Sequence, residues 1–233
     1  MAETRIQTVL STLSKTYPRA KMALQYKNSW ELLVSVILSA QCTDVMVNKV
    51  TERLFLKYTT LKDYVDADIK EFEKDIKSTG FYHNKAKNIL AAAKMVKDTF
   101  VGTIPRTMEE LVTIPGVARK TANVVLGNAY GVVKGIAVDT HVLRLSQRLR
   151  FVDLTKIGGK HLMVFEHDGK PIIDYTKDAD PMKVERELMG IIPRDQWFTL
   201  TYLLIEHGRA VCKAQNPKCA ECFLQTSCPV SRV

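Results

Sequence analysis

Apolar residues recur at helical spacing along most of the chain. In the first such stretch they fall on one face of a helix predicted over 4–17: Ile6, Val9, Leu10, Leu13 and Tyr17. The next stretch, WELLVSVILSAQ, is apolar on nearly every side, and Ser29 is its expected N-cap. Further helices are predicted at 44–58, 61–78, 84–100 and 197–209. The pattern therefore predicts a largely α-helical protein with a buried central helix.

The pattern changes between residues 150 and 180. Two β-prone runs flank Asp168-Gly169, a pair typical of a two-residue turn, which predicts a small β-hairpin near 161–175. Asp180 is a suitable N-cap and Pro181 a suitable first residue for the helix that follows. The predicted fold class is all-α with one β-hairpin.

Composition narrows the kind of partner. The 233 residues include 34 Lys and Arg against 25 Asp and Glu, a net charge of +9, and the pI is about 9.3. This excess of positive charge favours a polyanionic partner, and nucleic acid is favoured over an anionic membrane surface. The plain alternative is a basic protein without such a partner. No segment is long and apolar enough to span a membrane, so an intracellular protein with reduced thiols is expected.

A Pro-Gly turn precedes a basic helix start in the segment IPGVARK. Thr107 and Glu110 predict a capping box for the short helix before this turn. Gly116 would let the backbone approach a ligand closely, and the amides at the start of the next helix suit a phosphate group. Helix-hairpin-helix elements bind the DNA backbone in this way without reading its sequence.

Lys120 lies in the first turn of that predicted helix. The positive end of the helix dipole disfavours an ammonium charge there, which favours the neutral amine needed by a nucleophile. A solvated or phosphate-binding lysine is the plainer interpretation. Asp139, in VDTHVLR, is either an N-cap or an acidic partner for the lysine. His141 and Arg144 follow it and could bind phosphate or lie in solvent.

Two further residues stand at predicted helix junctions. Gln41 follows small residues in LSAQCTD, where an exposed turn residue is the plain alternative to a functional one. Phe81 follows Gly80, a predicted helix C-cap, and lies near basic residues. An exposed aromatic in that setting could wedge into a base stack, or it could staple one helix to its neighbour.

Four of the five cysteines lie close to the C-terminus. Their spacing is Cys212-x6-Cys219-x2-Cys222-x5-Cys228, which suits one [4Fe–4S] cluster or one tetrahedral zinc ion. The single C-x2-C pair favours the cluster modestly over zinc. Either group would close a loop that is too small to have its own core.

Four passages together resemble the endonuclease III family of DNA glycosylase/AP lyases, which belongs to the helix-hairpin-helix superfamily. They are LSAQCTD, IPGVARKTANVV, IAVDTHVLR, and HGR followed by the cysteines. The resemblance implies a two-lobed α-helical fold with the active site in a cleft between the lobes. It places a six-helix lobe at 22–133, and a second lobe at 1–21 plus 134–233 that holds the cluster loop at 212–228.

The resemblance also implies roles for individual residues. Lys120 would be the amine nucleophile and Asp139 its acidic partner, while Gln41 and Phe81 would fill the gap left by a flipped nucleotide. The remaining residues with an implied DNA-binding role are Gly116, Val117, Ala118, Arg119, Thr121 and His141. The residues with an implied role as [4Fe–4S] ligands are Cys212, Cys219, Cys222 and Cys228.

The implied activity is base excision repair by a bifunctional enzyme. It would remove oxidised pyrimidines and cut 3′ to the abasic site through a lysine Schiff base. The implied partner is double-stranded DNA with damaged bases or abasic sites, bound by a monomer in a prokaryotic cytoplasm, at the nucleoid. Alternatives are a non-catalytic DNA-binding iron–sulfur protein, a simple electron carrier, and an adenine-mispair glycosylase, although that last branch is not expected to have a lysine at Lys120.

The sequence departs from the family pattern in three places. Ala118 replaces an expected glycine, which predicts a looser approach to phosphate. Phe81 replaces a smaller aliphatic wedge, which could alter the preference for the opposite base. The predicted hairpin resembles an insertion, and we expect it to be a surface elaboration whose removal, over 160–177, spares lyase activity.

Overall fold

The computed structural model describes residues 2–233, with side chains from Thr4 onward. Its secondary structure is predominantly helical. The helices are α1 (Ala2–Thr16), α2 (Ser29–Leu38), α3 (Asp44–Lys57), α4 (Leu61–Val65), α5 (Ile69–Ile76), α6 (Tyr82–Asp98), α7 (Met108–Leu111), α8 (Arg119–Tyr130), α9 (Thr140–Arg148), α10 (Pro181–Ile191) and α11 (Trp197–Ala210). Two strands, β1 (Leu162–His167) and β2 (Lys170–Thr176), form an antiparallel hairpin. The predicted fold class is confirmed.

The chain divides into two compact units. The continuous unit comprises Ala23–Lys134, and the discontinuous unit comprises the chain up to Met22 together with Gly135–Val233. Each boundary lies one residue from the predicted one. The functional roles expected for the two lobes stay a prediction. No helix in the described part of the chain is long and apolar enough to cross a membrane.

Helix α2 is central to the continuous unit. Its residues from Glu31 to Leu38 are all buried, as its apolar sequence predicts. The N-cap is Asn28, whose side chain accepts a hydrogen bond from the Glu31 amide, so the expected cap at Ser29 is wrong by one position. Asn and Ser both make good N-caps, and their adjacency left the sequence ambiguous here. Thr43 caps α3, where its side chain accepts a hydrogen bond from the Met46 amide.

The helix predicted over 61–78 is broken into shorter pieces. A capping box at Thr60 and Asp63 starts α4. Asp68 then starts α5 by accepting from the Glu71 amide at 2.9 Å. Two cap-forming sequences close together favour two short helices over one long helix. A 3-10 turn over Lys77–Thr79 follows α5.

The discontinuous unit has its own apolar core. Helix α1 contributes Ile6, Val9, Leu10 and Leu13, which pack with residues of α9, α10 and α11. Arg5 fixes this helix further, because its Nη1 donates to the Leu149 carbonyl at 2.7 Å and its Nη2 donates to the Arg150 carbonyl. The N-terminal helix is therefore part of a core made mainly from the second half of the chain.

The predicted hairpin forms at the expected place. Asp168 and Gly169 have φ values of 50° and 71°, which are the left-handed conformations required by a two-residue type I′ turn. Strand β1 is mostly exposed, whereas Asp174, Tyr175 and Thr176 at the end of β2 are buried. The expectation of a surface elaboration is therefore wrong for this end of β2.

Candidate functional site

The Pro-Gly segment forms a tight turn between α7 and α8. The Val117 amide donates to the Ile114 carbonyl at 3.0 Å, and Gly116 has a φ of 82°. Proline followed by a residue at positive φ is the pattern of a type II turn. A Cβ at Gly116 would lie 3.0 Å from the Cβ of Asn88, so the turn packs closely on α6. Both the backbone conformation and the available space therefore favour glycine.

Helix α7 is capped by Thr107, but only part of the predicted capping box forms. The Thr107 hydroxyl accepts from the Glu110 amide at 3.3 Å and donates to the Glu110 carboxylate at 2.6 Å. The carboxylate thus binds the Thr107 side chain. The expected bond to the Thr107 backbone amide is replaced by this contact.

Ala118 is the N-cap residue of α8 and supplies no side-chain cap. Its φ of −89° and ψ of 169° describe an extended backbone that any residue adopts. The expected glycine is therefore not required by the local conformation. Val117 is buried and its amide closes the turn, while Gly116 and Ala118 are exposed. The contribution of these three residues to DNA binding stays a prediction.

Lys120 occupies the first turn of α8, as predicted. It is half-buried, and its amine makes no hydrogen bond or ion pair with any residue that the structure describes. Arg119 and Thr121 flank it and are also half-buried. An amine without a protein partner is available to an external electrophile.

Asp139 is the N-cap of α9, the structural role that the sequence predicts for it. Its Oδ1 accepts from the His141 amide at 2.9 Å and the Val142 amide at 2.8 Å. These bonds fix the carboxylate while leaving Oδ2 without a protein donor in the described part of the chain. Asp139 and Lys120 belong to different units, so their proximity stays a prediction.

His141 and Arg144 pack against Gly208 of α11. The Arg144 Nη2 lies 3.3 Å from the His141 Nδ1 and donates to the Cys212 carbonyl at 3.0 Å. A Cβ at Gly208 would lie only 2.5 Å from the His141 Nδ1 and 3.1 Å from the Arg144 Nη2. The glycine of the HGR passage is therefore required by the close approach of α9 and α11.

Gln41 and Phe81 are both exposed and both adopt a left-handed backbone. Their φ values are 53° and 49°, and Phe81 retains 62% of its accessible surface. Phe81 does not staple two helices together, because a staple would be buried. A bulky residue with positive φ carries local strain, and such strain is concentrated at functional sites.

The four C-terminal cysteines line one pocket in the discontinuous unit. In the described part of the chain, no three His, Cys, Asp or Glu side chains converge on a position for a single metal ion. A [4Fe–4S] cluster needs a wider arrangement, since each cysteine binds a different iron. Four cysteines that line one pocket supply the donor set of such a cluster.

Hydrogen-bond donors lie beside two of the sulfur atoms of this pocket. The Arg148 Nη1 lies 3.3 Å from the Cys212 Sγ, and the Leu224 amide lies 3.4 Å from the Cys222 Sγ. Burial raises the pKa of Cys222, and it raises the pKa of Cys228 to about 11. Buried thiols of this kind become thiolates when a bound cation compensates their charge. The environment is therefore suited to a cationic iron core.

Comparison with known proteins decides the family. Residues 34–162 match the model of HhH-GPD superfamily base excision DNA repair proteins, and residues 212–228 match the iron–sulfur binding domain of endonuclease III. Endonuclease III of Synechocystis sp. is 46% identical over 97% of this chain and 92% of its own length. The chain belongs to the endonuclease III family.

Other members of the endonuclease III family agree with this assignment. The Bacillus subtilis endonuclease III is 43% identical over 96% of this chain and 91% of its own length. A solved non-covalent endonuclease III–DNA complex has a TM-score of 0.84 and 42% identity, covering 98% of this chain and 96% of that chain. The predicted family is confirmed, and so is the predicted [4Fe–4S] cofactor.

The sequence did not reveal several buried polar residues whose contacts form only on folding. Lys85 is buried between two backbone carbonyls. Arg148 forms a buried ion pair with Asp174, at 2.7 Å, beside the Cys212 sulfur. His207 lies with its Nε2 3.7 Å from the Cys222 Sγ, and burial lowers its pKa to about 4. Their partners are distant in sequence, and many are backbone atoms, which side-chain patterns do not identify.

Proposed function

We propose that this protein is a bifunctional DNA glycosylase/AP lyase of base excision repair that acts on oxidised pyrimidines. The observation that carries the proposal is the Lys120 amine, held in the first turn of α8 without a protein partner. The tight turn at Gly116 lies just before this helix. A nucleophile next to a phosphate-binding turn is the arrangement needed to attack a sugar whose phosphate is held beside it.

DNA binding is expected to begin at the turn and the start of α8. The amides of a helix N-terminus and its positive dipole end favour phosphate, with Arg119 and Thr121 as further donors. His141 would contribute a second polar contact. The lesion must leave the base stack before its sugar is accessible, and unstacking costs least where pairing is already weakened. Gln41 and Phe81 would then fill the gap in the duplex.

Lys120 carries the covalent chemistry. Its neutral amine attacks C1′, forming a C–N bond as the glycosidic bond breaks and the base departs with the bonding pair and a proton. Ring opening gives a Schiff base, whose electron-withdrawing iminium makes the C2′ proton acidic. Loss of that proton breaks the C3′–O bond, and the 3′ phosphate leaves with the electron pair. Water then releases the lysine.

Asp139 would assist at the sugar. One carboxylate oxygen is fixed by the start of α9 and the other has no protein donor in the described residues. A positioned carboxylate stabilises positive charge developing at C1′ and accepts or returns protons. The four cysteines would each bind one iron of the [4Fe–4S] cluster, which would close the C-terminal loop. The acting species would be a monomer on duplex DNA, working at the bacterial nucleoid.

Borohydride trapping tests the nucleophile. Sodium borohydride reduces the Schiff base to a stable amine, so the wild-type protein should become covalently bound to abasic DNA. Lys120→Ala should abolish this adduct because the Lys120 side chain supplies the nitrogen of the iminium. Lys97→Ala, which removes an equal charge from the exposed face of α6, should trap normally. An undiminished adduct in the Lys120 variant would show that the assignment is wrong.

A panel of duplexes separates this function from its alternatives. The wild-type protein should cut DNA containing an abasic site or thymine glycol. A non-catalytic DNA-binding protein would bind these duplexes without cutting them. An adenine-mispair glycosylase would release adenine and leave the strand intact.

A further inference from the structure

Lys85 is a buried cation bound to two backbone carbonyls. Only 4% of its surface is exposed, and its Nζ donates to the Leu38 carbonyl and to the Thr79 carbonyl, both at 2.8 Å. Leu38 is the last residue of α2, and Thr79 ends the 3-10 turn before α6. One ammonium group therefore joins two segments that are distant in sequence.

These two segments present the exposed residues Gln41 and Phe81. Gln41 follows Leu38 by three positions, and Phe81 follows Thr79 by two. Both have left-handed backbone conformations, which persist in non-glycine residues only where the surroundings enforce them. The bonds from Lys85 are placed to provide that enforcement, because each one anchors the chain just before a strained residue.

Overall stability does not explain a lysine at this position. Burial lowers the pKa of Lys85, and no carboxylate in the described part of the chain forms an ion pair with it. Burying a charge without an opposite charge is unfavourable, and the two hydrogen bonds to carbonyls must offset that cost. What the lysine adds is donation to two particular carbonyls, the first of which lies at a helix C-terminus that favours a cation.

We propose that Lys85 is a positioning residue that holds the Gln41 and Phe81 segments in register, so that both side chains enter the duplex gap together. This inference rests on the proposed function, which supplies the gap-filling roles of Gln41 and Phe81. Without the ammonium group the two segments relax independently. Recognition of a lesion is then weakened, while general attraction to the DNA backbone is retained.

Binding measurements distinguish these effects. The probes are a duplex containing a tetrahydrofuran abasic analogue and the same duplex without the lesion. The fluorescence of 2-aminopurine placed opposite the lesion reports local unstacking. Lys85→Met should lower the ratio of lesion to undamaged affinity about tenfold and reduce the 2-aminopurine signal. Affinity for undamaged DNA should stay within about twofold. Lys94→Met, which removes an exposed charge from the same helix, should change neither ratio nor signal.

A mutant cycle tests whether Lys85 acts through the two exposed residues. In a Gln41→Ala, Phe81→Ala background, Lys85→Met should have little further effect, because the groups that it positions are gone. The proposal would be overturned if Lys85→Met lowered the affinity for damaged and undamaged DNA equally. It would also be overturned if Lys85→Met lowered lesion affinity as much in the Gln41→Ala, Phe81→Ala background as in the wild type. If Lys85→Met lacks the wild-type circular dichroism spectrum, Lys85→Gln takes its place under the same criteria.

The proposed function is judged separately. If the wild-type protein fails to form the borohydride adduct, the glycosylase/lyase assignment fails regardless of Lys85. If the wild-type adduct forms and the Lys85 variants discriminate lesions normally, only the positioning role fails.

Discussion

Local strain at single residues is a testable property of this protein. Gln41 and Phe81 adopt conformations in which a Cβ clashes with the backbone, whereas glycine adopts them freely. Neither residue compensates by burying its side chain, since both are exposed. Their conformations therefore reduce stability, which is expected where side-chain direction matters more than folding free energy.

Replacing Phe81 with glycine should relieve this strain. Phe81→Gly should have a free energy of unfolding about 1 kcal/mol higher than Phe81→Ala, because both lose the ring but only alanine keeps the Cβ. Urea denaturation of the two variants gives the comparison. Both should bind a lesion duplex less tightly than the wild type. A glycine variant that is no more stable than the alanine variant would argue against strain at this position.

At the scale of elements, the contact between α9 and α11 places the start of α9. Gly208 allows His141 and Arg144 to lie against α11, and Asp139 caps the same end of α9. Any side chain at Gly208 must displace one of these groups. The position of the carboxylate is thus set by a glycine nearly 70 residues further along the chain.

Gly208→Ala should therefore destabilise the protein by about 1–3 kcal/mol, as expected for overpacking. It should also slow borohydride trapping by displacing the N-terminus of α9. Gly190→Ala is a matched control, because Gly190 is an exposed helical glycine with nothing within 4 Å of an added Cβ. This control should be neutral or slightly stabilising, since alanine favours helix. Equal effects in both variants would contradict the packing argument.

Local signals in the sequence predicted many elements correctly. Asp139, Asp180 and the Asp168-Gly169 turn were predictable because a cap or a tight turn depends on a few adjacent residues. The break between α4 and α5 was missed because apolar spacing continued across it. Gly208 and Lys85 were also missed as packing and anchoring residues, since their roles depend on atoms brought close only by folding.

At the scale of the whole molecule, the hairpin is tied to the iron–sulfur loop. Asp174 of β2 pairs with Arg148, which also donates to the Lys213 carbonyl at 2.6 Å and lies beside the Cys212 sulfur. Arg232, near the C-terminus, donates to the same carboxylate at 3.1 Å. Deleting 160–177 would remove Asp174 and leave the buried Arg148 without a carboxylate, so this deletion is expected to destabilise the cluster loop.

Asp174→Asn tests this link with a single atom changed. It should destabilise the protein by about 3 kcal/mol, because the buried Arg148 loses its carboxylate partner. The visible absorption of the cluster should also be lost faster in the presence of an iron chelator. Glu166→Gln, on the exposed strand β1 of the same hairpin, should behave like the wild type. Unchanged cluster loss in the Asp174 variant would show that the hairpin does not support the loop.

The position of α1 has a consequence for synthesis on the ribosome. The continuous unit is complete once Lys134 has emerged, whereas the apolar face of α1 must await α9–α11. The remaining segment of roughly 100 residues takes about 5–20 s to translate. During that interval the apolar face of α1 lacks its final partners; this face consists of Ile6, Val9, Leu10 and Leu13. The nascent chain therefore exposes an apolar helix face that favours non-specific association. All four cysteines are available to bind iron only after Cys228 has been synthesised. Cluster insertion is therefore one of the last steps in the formation of the folded protein.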